Sequence, residues 1–211
     1  MYRPQNFAED RLDVLINAIR NIQFAAIVTP TQDGIEVTHA PVVIHPGETV
    51  ADTTIETHVA RANPHWRAAV AAQSVAIFQG PHSYVTPSWY PSKQEHGKVV
   101  PTWTYVTVHA HGTLEAIQDD TWLARHLEEL TNQNEVAREV PWAVSDAPTE
   151  FIGSLSRGIV GLRMRIDRLE GAWKLNQHKA TPDRDGTARG LANAGEMEQQ
   201  LSDLLTKRAP S

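Results

Sequence analysis

The sequence predicts a mainly β protein with peripheral helices, an α+β fold whose simplest arrangement is a small β-barrel. Short stretches in which apolar and polar residues alternate recur along most of the 211 residues, as expected for half-buried strands. Stretches with apolar residues at helical spacing interrupt them at only three or four points. With 41% hydrophobic and 21% charged residues, the composition is that of an ordinary globular protein with a sizeable core.

The first third of the chain is predicted to begin with a helix and to continue as strands. Apolar residues at helical spacing lie between Leu12 and Ile19, and the turn signal Asp33-Gly34 joins two strand-like stretches into a hairpin. Asn63-Pro64 combines a capping side chain with a proline suited to the first helical position. The predicted elements are a helix over 8–21, strands over 24–29, 35–44 and 53–59, and a short helix over 64–72.

The rest of the chain contains further strands and three predicted helices. Gly80-Pro81 is predicted to end a strand, although residues 83–86 could resume it. Residues 87–101 form a Pro-rich, aromatic loop, and loops of this length usually carry function. The remaining elements are strands over 75–78, 102–117 and 160–167, and helices over 120–135, 148–156 and 196–207. The sequence therefore predicts six or seven strands.

Charge and composition exclude several classes of function. With 19 Lys and Arg against 25 Asp and Glu, the formal charge is −6, so tight direct binding of DNA is not expected. The absence of Cys excludes thiol catalysis and iron–sulfur clusters. Dinucleotide-binding, P-loop and nucleophile-elbow motifs are also missing. Neither a targeting signal nor a membrane span is visible, which predicts a cytoplasmic protein.

One candidate anion site lies where a predicted strand meets a predicted helix. Arg61 immediately precedes the helix start, where backbone N–H groups and the helix dipole favour a phosphate. The alternative is that Asn63 only caps the helix and that Arg61 is a solvated surface charge. His39 and His58 lie on the neighbouring strands, either as ligand contacts or as satisfied buried histidines.

A second candidate site is aromatic. Planar side chains in and after the Pro-rich loop could stack on a heterocycle, or they could pack in a dimer interface. The two interpretations are compatible if the ligand lies at that interface. A metal site is not predicted, because His109 and His111 have no clear third ligand. The aromatic and polar residues of this region are Trp89, Tyr90, Trp103 and Tyr105 with Ser88, Lys93, His96 and Lys98.

Several motifs, in this order and spacing, resemble the PaiB family of FMN-binding negative transcriptional regulators, among the split-barrel flavoproteins related to pyridoxine-phosphate oxidase. The resemblance implies an FMN-binding split β-barrel over residues 1–190 and a C-terminal helical tail over 191–211. The motifs are Met1-Tyr-Arg-Pro4 with Phe7, Asp33-Gly34 with Thr38-His39-Ala-Pro41, residues 58–66, 78–81, 84–90 and 96–105, Pro141-Trp142, residues 159–161, and residues 170–177.

The resemblance also implies how a flavin would bind. It implies a homodimer with FMN sites at the interface, with the phosphate at one chain's first barrel helix and the ring toward the partner. Arg61 and Asn63 match the phosphate side, and Thr104 stands where the family motif has Asn. The residues carried over for the ring side are Trp89, Trp103, Lys174 and Gln177.

Three hypotheses for function follow from the resemblance. The first is an FMN-binding regulator that affects transcription by an indirect route. The second is an FMN-dependent oxidoreductase, because relatives with this fold include oxidases and reductases. The third is a haem-binding or haem-degrading protein that uses a histidine. A fold alone does not decide among them.

Overall fold

A computed structural model describes residues 1–68 and 73–207. The described residues form one antiparallel sheet of eight strands in the order β3-β2-β6-β7-β8-β5-β4, with β1 beside β8. The strands are β1 (Ala8–Glu9), β2 (Phe24–Thr31), β3 (Gly34–Pro41), β4 (Val43–His45), β5 (Thr54–Ala60), β6 (Gln73–Val85), β7 (Thr102–Ile117) and β8 (Ile159–Lys174).

Several of the helices are amphipathic and bury one face. For example, the first helix buries Leu15, Ile16 and Ile19. The helices are α1 (Leu12–Ile22), α2 (His65–Ala68), α3 (Ser92–Glu95), α4 (Asp120–Glu135), α5 (Thr149–Ser156), α6 (Thr181–Ala192) and α7 (Glu196–Lys207). Among the described residues, no helix is both long enough and apolar enough to cross a membrane.

The chain divides into two compact units. The hairpin unit comprises Leu12–Phe78 and His109–Leu169. In it, β2 and β3 pair from Phe24 opposite Pro41 to Thr31 opposite Gly34, and β5 pairs along β8. Gly34 closes the hairpin with a φ of 136°, a backbone conformation that other residues rarely adopt.

The terminal unit comprises Met1–Arg11, Gln79–Val108 and Glu170–Ser211. Here β1 pairs with β8 through Ala8 opposite Ala172, and α6 packs against α7. The hydroxyl of Ser202 donates to the carbonyl of Ala188 across the two helices, at 2.9 Å. Leu191 and Leu201 are fully buried in this unit.

Most predicted elements are confirmed, but three predictions were wrong. The first helix begins at Leu12, because Ala8 and Glu9 pair with β8. Gly80-Pro81 does not end its strand, and β6 runs on to Val85, since a proline fits a strand where its missing N–H is not needed. The sheet has eight strands because β1 exists and because the predicted strand 35–44 is two strands, β3 and β4.

Other features differ in extent from the expectation. The final predicted strand extends to Lys174, and α6 was not predicted, because Gly186 and Gly190 weaken its helical pattern. Of the predicted helix 64–72, residues 69–72 lie outside the described residues. The predicted domain boundary at 190 falls inside α6, and that division stays a prediction.

Candidate functional site

The segment that follows β5 holds Arg61 in a dense set of hydrogen bonds. Its Nε donates to the carbonyl of Arg157 at 2.8 Å, and Nη2 donates to the carbonyl of Ile159 at 3.0 Å. Nη1 donates to Oε1 of Gln118 at 2.7 Å. Because three of the five N–H groups of a guanidinium are used in this way, Arg61 ties the end of β5 to the start of β8 and keeps two donors for a ligand.

Asn63 caps the helix that begins at His65. Its Oδ1 accepts from the backbone N–H of His65 at 2.9 Å, and its Nδ2 donates to Oγ1 of Thr38 at 3.0 Å. The ring of His65 is fully buried between Thr38 and Thr29, with both nitrogens 2.8 Å from the two hydroxyls. Burial lowers the pKa of His65, and nearby Glu36 partly offsets this. These contacts fix the helix start on β2 and β3.

Arg67 is a second cation at this helix start that sequence reasoning missed. Its guanidinium lies 4.4 Å from the ring centroid of Trp66, is exposed, and has no ion pair among the described residues. Trp66 is held in place by its Nε1, which donates to the carbonyl of Arg61 at 2.9 Å. The signal was the sequence Trp66-Arg67 directly after the capped helix start.

In the terminal unit, Lys174 at the end of β8 lies beside β7. Its Nζ donates to Oγ1 of Thr102 at 3.0 Å and lies 5.8 Å from the ring centroid of Tyr105. Thr104, which replaces the family's Asn, is fully buried and donates to the carbonyl of Lys174 at 2.6 Å. The side chain of Thr104 therefore helps to hold β8 against β7.

The two tryptophans predicted for the ring side have different environments. Trp103 is 54% exposed, and its ring meets Tyr84 edge-on at 6.2 Å and lies 6.3 Å from His82. Trp89 is half-buried against α6, where a Cβ added to Gly190 would lie 2.2 Å from the indole of Trp89. Trp103 is thus available for stacking, whereas Trp89 fills the space that the glycines of α6 leave.

Gln177 uses both ends of its amide within the terminal unit. Its Oε1 accepts from the backbone N–H of Leu175 at 2.7 Å, and its Nε2 donates to the carbonyl of Asn6 at 2.7 Å. Gln177 therefore joins the turn after β8 to the N-terminal segment, and its contact with a flavin stays a prediction.

The two predicted histidines have different surroundings. His39 is exposed on β3 and stacks on Phe24 at 6.2 Å. His58 on β5 faces α4, where its Nδ1 lies 3.2 Å from Nε2 of His126. Burial lowers the pKa of His58, and burial with the adjacent His58 lowers the pKa of His126 to about 4.

Glu56, two residues before His58, is the centre of a charge cluster. Burial would raise its pKa, but the nearby side chains of His45, Arg125 and Arg163 hold this pKa far below its usual value. Together with His45 and Glu129, it presents donor atoms close enough for a metal ion. The two guanidinium groups already neutralise these carboxylates, so the cluster acts as a salt-bridge network.

Comparison with known proteins confirms the family resemblance. Residues 1–168 match the family described as "Putative FMN-binding domain". The chain is 33% identical to an uncharacterized protein of Emericella nidulans over an alignment of 230 positions, which covers 92% of this chain and 92% of that protein. It is 29% identical to the Protease synthase and sporulation protein PAI 2 of Bacillus subtilis over 214 residues, covering 99% of this chain and 100% of that protein.

Solved structures confirm the fold. The flavocytochrome Anf3 from Azotobacter vinelandii has a TM-score of 0.57, with 13% sequence identity, and the match covers 82% of this chain and 72% of that one. The FAD and heme binding protein from Mycobacterium smegmatis has a TM-score of 0.55, with 15% identity over 78% of this chain and 71% of that one. The fold is the split barrel of flavin-binding proteins.

Proposed function

Since the chain belongs to the family described as "Putative FMN-binding domain", we propose that it binds FMN as a homodimer with the sites at the interface. One observation carries the proposal. The capped helix start after β5 has two guanidinium groups, of which Arg67 is exposed and has no ion pair among the described residues. A terminal phosphate is the part of FMN that such a cationic surface would bind.

Lys174 supports the placement of the flavin ring. Its half-buried ammonium is held by Thr102 and lies over Tyr105, so its position is fixed. A cation near the N1 and C2 carbonyl of a flavin stabilises the anionic reduced form. When bound, FMN would supply hydride and electron transfer, and Lys174 would raise its tendency to accept electrons.

Exposed apolar side chains support the homodimer. Trp103 and Tyr84 are about half exposed in the terminal unit, and Ile35 and Val37 are 71% and 50% exposed on β3. Aromatic residues are enriched at protein interfaces, and apolar surface of this kind is usually covered. A second copy that covers Trp103 would also place this indole beside a bound flavin ring.

For the physiological role we propose PaiB-like negative regulation of transcription by an indirect route. The similarity to PAI 2 of Bacillus subtilis supports a regulatory role. The formal charge of −6 for each chain opposes approach to a polyanion. A gel-shift assay at physiological salt should show only weak, sequence-independent association, and specific nanomolar binding would instead support a direct repressor.

A flavin titration of the purified protein tests the proposal. We expect the protein to quench FMN fluorescence at micromolar concentration, to bind riboflavin more weakly, and to show flavin bands in its visible spectrum. Light scattering should give the mass of a dimer. A monomer would contradict the shared site, and a Soret band without flavin bands would favour the haem hypothesis.

A further inference from the structure

We infer that a cleft between α4 and α5 binds a small, neutral carbonyl compound, with Nε2 of His58 donating a hydrogen bond to the carbonyl oxygen. The cleft lies wholly within the hairpin unit. Arg61 and Arg67, proposed for the FMN phosphate, do not line this cleft, and neither do Lys174 and Trp103, proposed for the flavin ring. Three observations support the binding of such a compound: the shape of the cleft, the pairing of His58 with the buried His126, and the charges at its rim.

The inner part of the cleft is a largely apolar cavity of about 280 Å³. This volume lies just below the range of roughly 300–1,000 Å³ that is usual for drug-sized ligands, so it suits a molecule of one or two rings. A neighbouring cavity of about 500 Å³, called the outer cavity here, shares four of its lining residues. Apart from His58, the inner lining is mostly apolar and includes Leu127, Trp142, Val144, Ile152 and Ile159.

The contact between His58 and His126 determines which ring nitrogen of each histidine carries the proton. His126 is completely buried, and its Nδ1 has no hydrogen-bond partner within the part of the chain that the structure describes. Buried N–H groups without a partner are rarer than buried acceptors without one. The proton of a neutral His126 therefore belongs on Nε2, from which it is donated to Nδ1 of His58 at 3.2 Å.

This arrangement leaves Nε2 of His58 as the donor. Because Nδ1 of a neutral His58 accepts from His126, its own proton must lie on Nε2. His58 lines the inner cavity, and its Nε2 has no hydrogen-bond partner among the described residues. A ligand oxygen that accepts this proton would satisfy the imidazole in an otherwise apolar environment.

The charges around the cleft favour a neutral ligand. Burial lowers the pKa values of both histidines, so the donor is uncharged at neutral pH. In the part of the chain that the structure describes, the outer cavity is lined by two acidic residues, Asp120 and Glu128, and by one basic residue, Arg157. Neither the donor nor the rim would therefore compensate a buried anion. A ketone, aldehyde or amide with an apolar body fits this site.

Prodan, a neutral fluorescent naphthyl ketone, tests the site, and dimethylaminonaphthalene is its control because it lacks the carbonyl. The wild-type protein should bind prodan at least fivefold more tightly than the control compound. His58→Phe keeps an aromatic ring but removes the donor. We expect it to weaken prodan binding roughly tenfold and to change binding of the control compound less than twofold.

Two further variants distinguish the cleft from other apolar surfaces. Leu127→Trp is designed to fill the inner cavity while both histidines are kept, and it should abolish binding of both compounds. Phe151→Ser removes an exposed apolar ring of α5 that does not line the cavity, and it should leave binding unchanged. Circular dichroism checks that each variant is folded, and Leu127→Trp decides the outcome if His58→Phe does not fold.

Three results would overturn the inference. The first is equal affinity of the wild type for the two compounds, and the second is unchanged binding in Leu127→Trp. The third is displacement of prodan by saturating FMN, because the cleft would then belong to the flavin site. Failure of FMN to bind the protein at all would refute the proposed function and leave this inference standing.

Discussion

Two side chains on the same face of β5, Glu56 and His58, both contact α4 but differ in how completely they are satisfied. Glu56 is 4% exposed and accepts hydrogen bonds from Arg125, Arg163 and Trp122 at 2.6, 2.9 and 3.3 Å. Among the described residues, the side chain of His58 has one polar partner, His126. Glu56 is a buried charge with three donors, whereas His58 is a ring with one polar contact that lines a cavity.

The comparison separates groups that hold the fold from groups that are available to a ligand. A buried charge is tolerated only when it is paired and hydrogen-bonded, so a complete set of partners indicates a structural role. A polar group that lacks a partner and faces a cavity indicates a binding role. The same contrast distinguishes Arg61, which has three acceptors, from Arg67, which has no ion pair among the described residues.

The largest effect is expected for Glu56→Gln. Loss of this carboxylate leaves Arg125 and Arg163 without their central anion, and such changes at buried ion pairs cost about 3 kcal/mol. Urea unfolding measures the loss. Glu129→Gln is the matched control, because Glu129 also bonds Arg125 but is 36% exposed, so about 0.5 kcal/mol is expected. Equal losses for both variants would contradict the structural role of Glu56.

His126 and Glu56 should affect the free energy of unfolding in different pH ranges. The pKa of His126 falls from 6.5 to about 4 on folding, so between these values the unfolded chain binds more protons and stability decreases as the pH falls. Over this range the loss due to His126 amounts to about 2–3 kcal/mol. His126→Phe keeps a ring against Trp122 and should remove this part of the slope.

Below pH 4.5 the same variant should still lose stability. Glu56 has a lowered pKa in the folded protein, so its contribution is present above its ordinary pKa of 4.5 and is lost as the pH falls below that value. The free energy of unfolding, measured from roughly pH 3 to pH 7, separates the contributions of His126 and Glu56. An unchanged slope between pH 6.5 and 4 in His126→Phe would be inconsistent with a buried neutral histidine.

Arg61 and Arg67 should differ in their effects on flavin binding. Arg67→Ala removes an exposed cation whose described contact is the ring of Trp66. If this cation binds the phosphate as proposed, FMN affinity should fall by about 1.5 kcal/mol, roughly tenfold, with riboflavin affinity unchanged. Arg61→Ala should weaken FMN binding by a similar or larger factor and also lower stability, because it frees two backbone carbonyls. Equal losses for FMN and riboflavin in Arg67→Ala would show that Arg67 does not contact the phosphate.

The smallest effect is expected for Asn63→Ala. Loss of the cap leaves the N–H of His65 without its acceptor and should cost about 1 kcal/mol. Asn63→Ser keeps a capping oxygen and should recover most of that stability, as measured by thermal unfolding. A loss of FMN affinity that Ser does not restore would assign Asn63 a ligand contact in addition to its cap.

Local patterns made much of the fold predictable. The helices α4, α5 and α7 and the hairpin of β2 and β3 have caps, turns and apolar spacing that short-range rules recognise. Two elements that were missed, β1 and α6, have a common cause. Strand β1 exists only because Ala8 and Glu9 pair with residues 171 and 172, and α6 depends on the packing of Trp89 against Gly186 and Gly190. Neither contact leaves a local signal.

The sequence by itself determined the family, the strand-rich fold and the presence of cations at the helix start after β5. Only the tertiary structure decided how each polar side chain is satisfied. Arg61 and Arg67 are both arginines near the same helix start, and Glu56 and His58 lie on the same face of β5, so the sequence alone does not distinguish the members of either pair. Their roles diverge because hydrogen-bond partners such as Ile159, His126 and Arg163 come from elements far away in sequence. Which groups remain free for a ligand therefore depends on long-range packing.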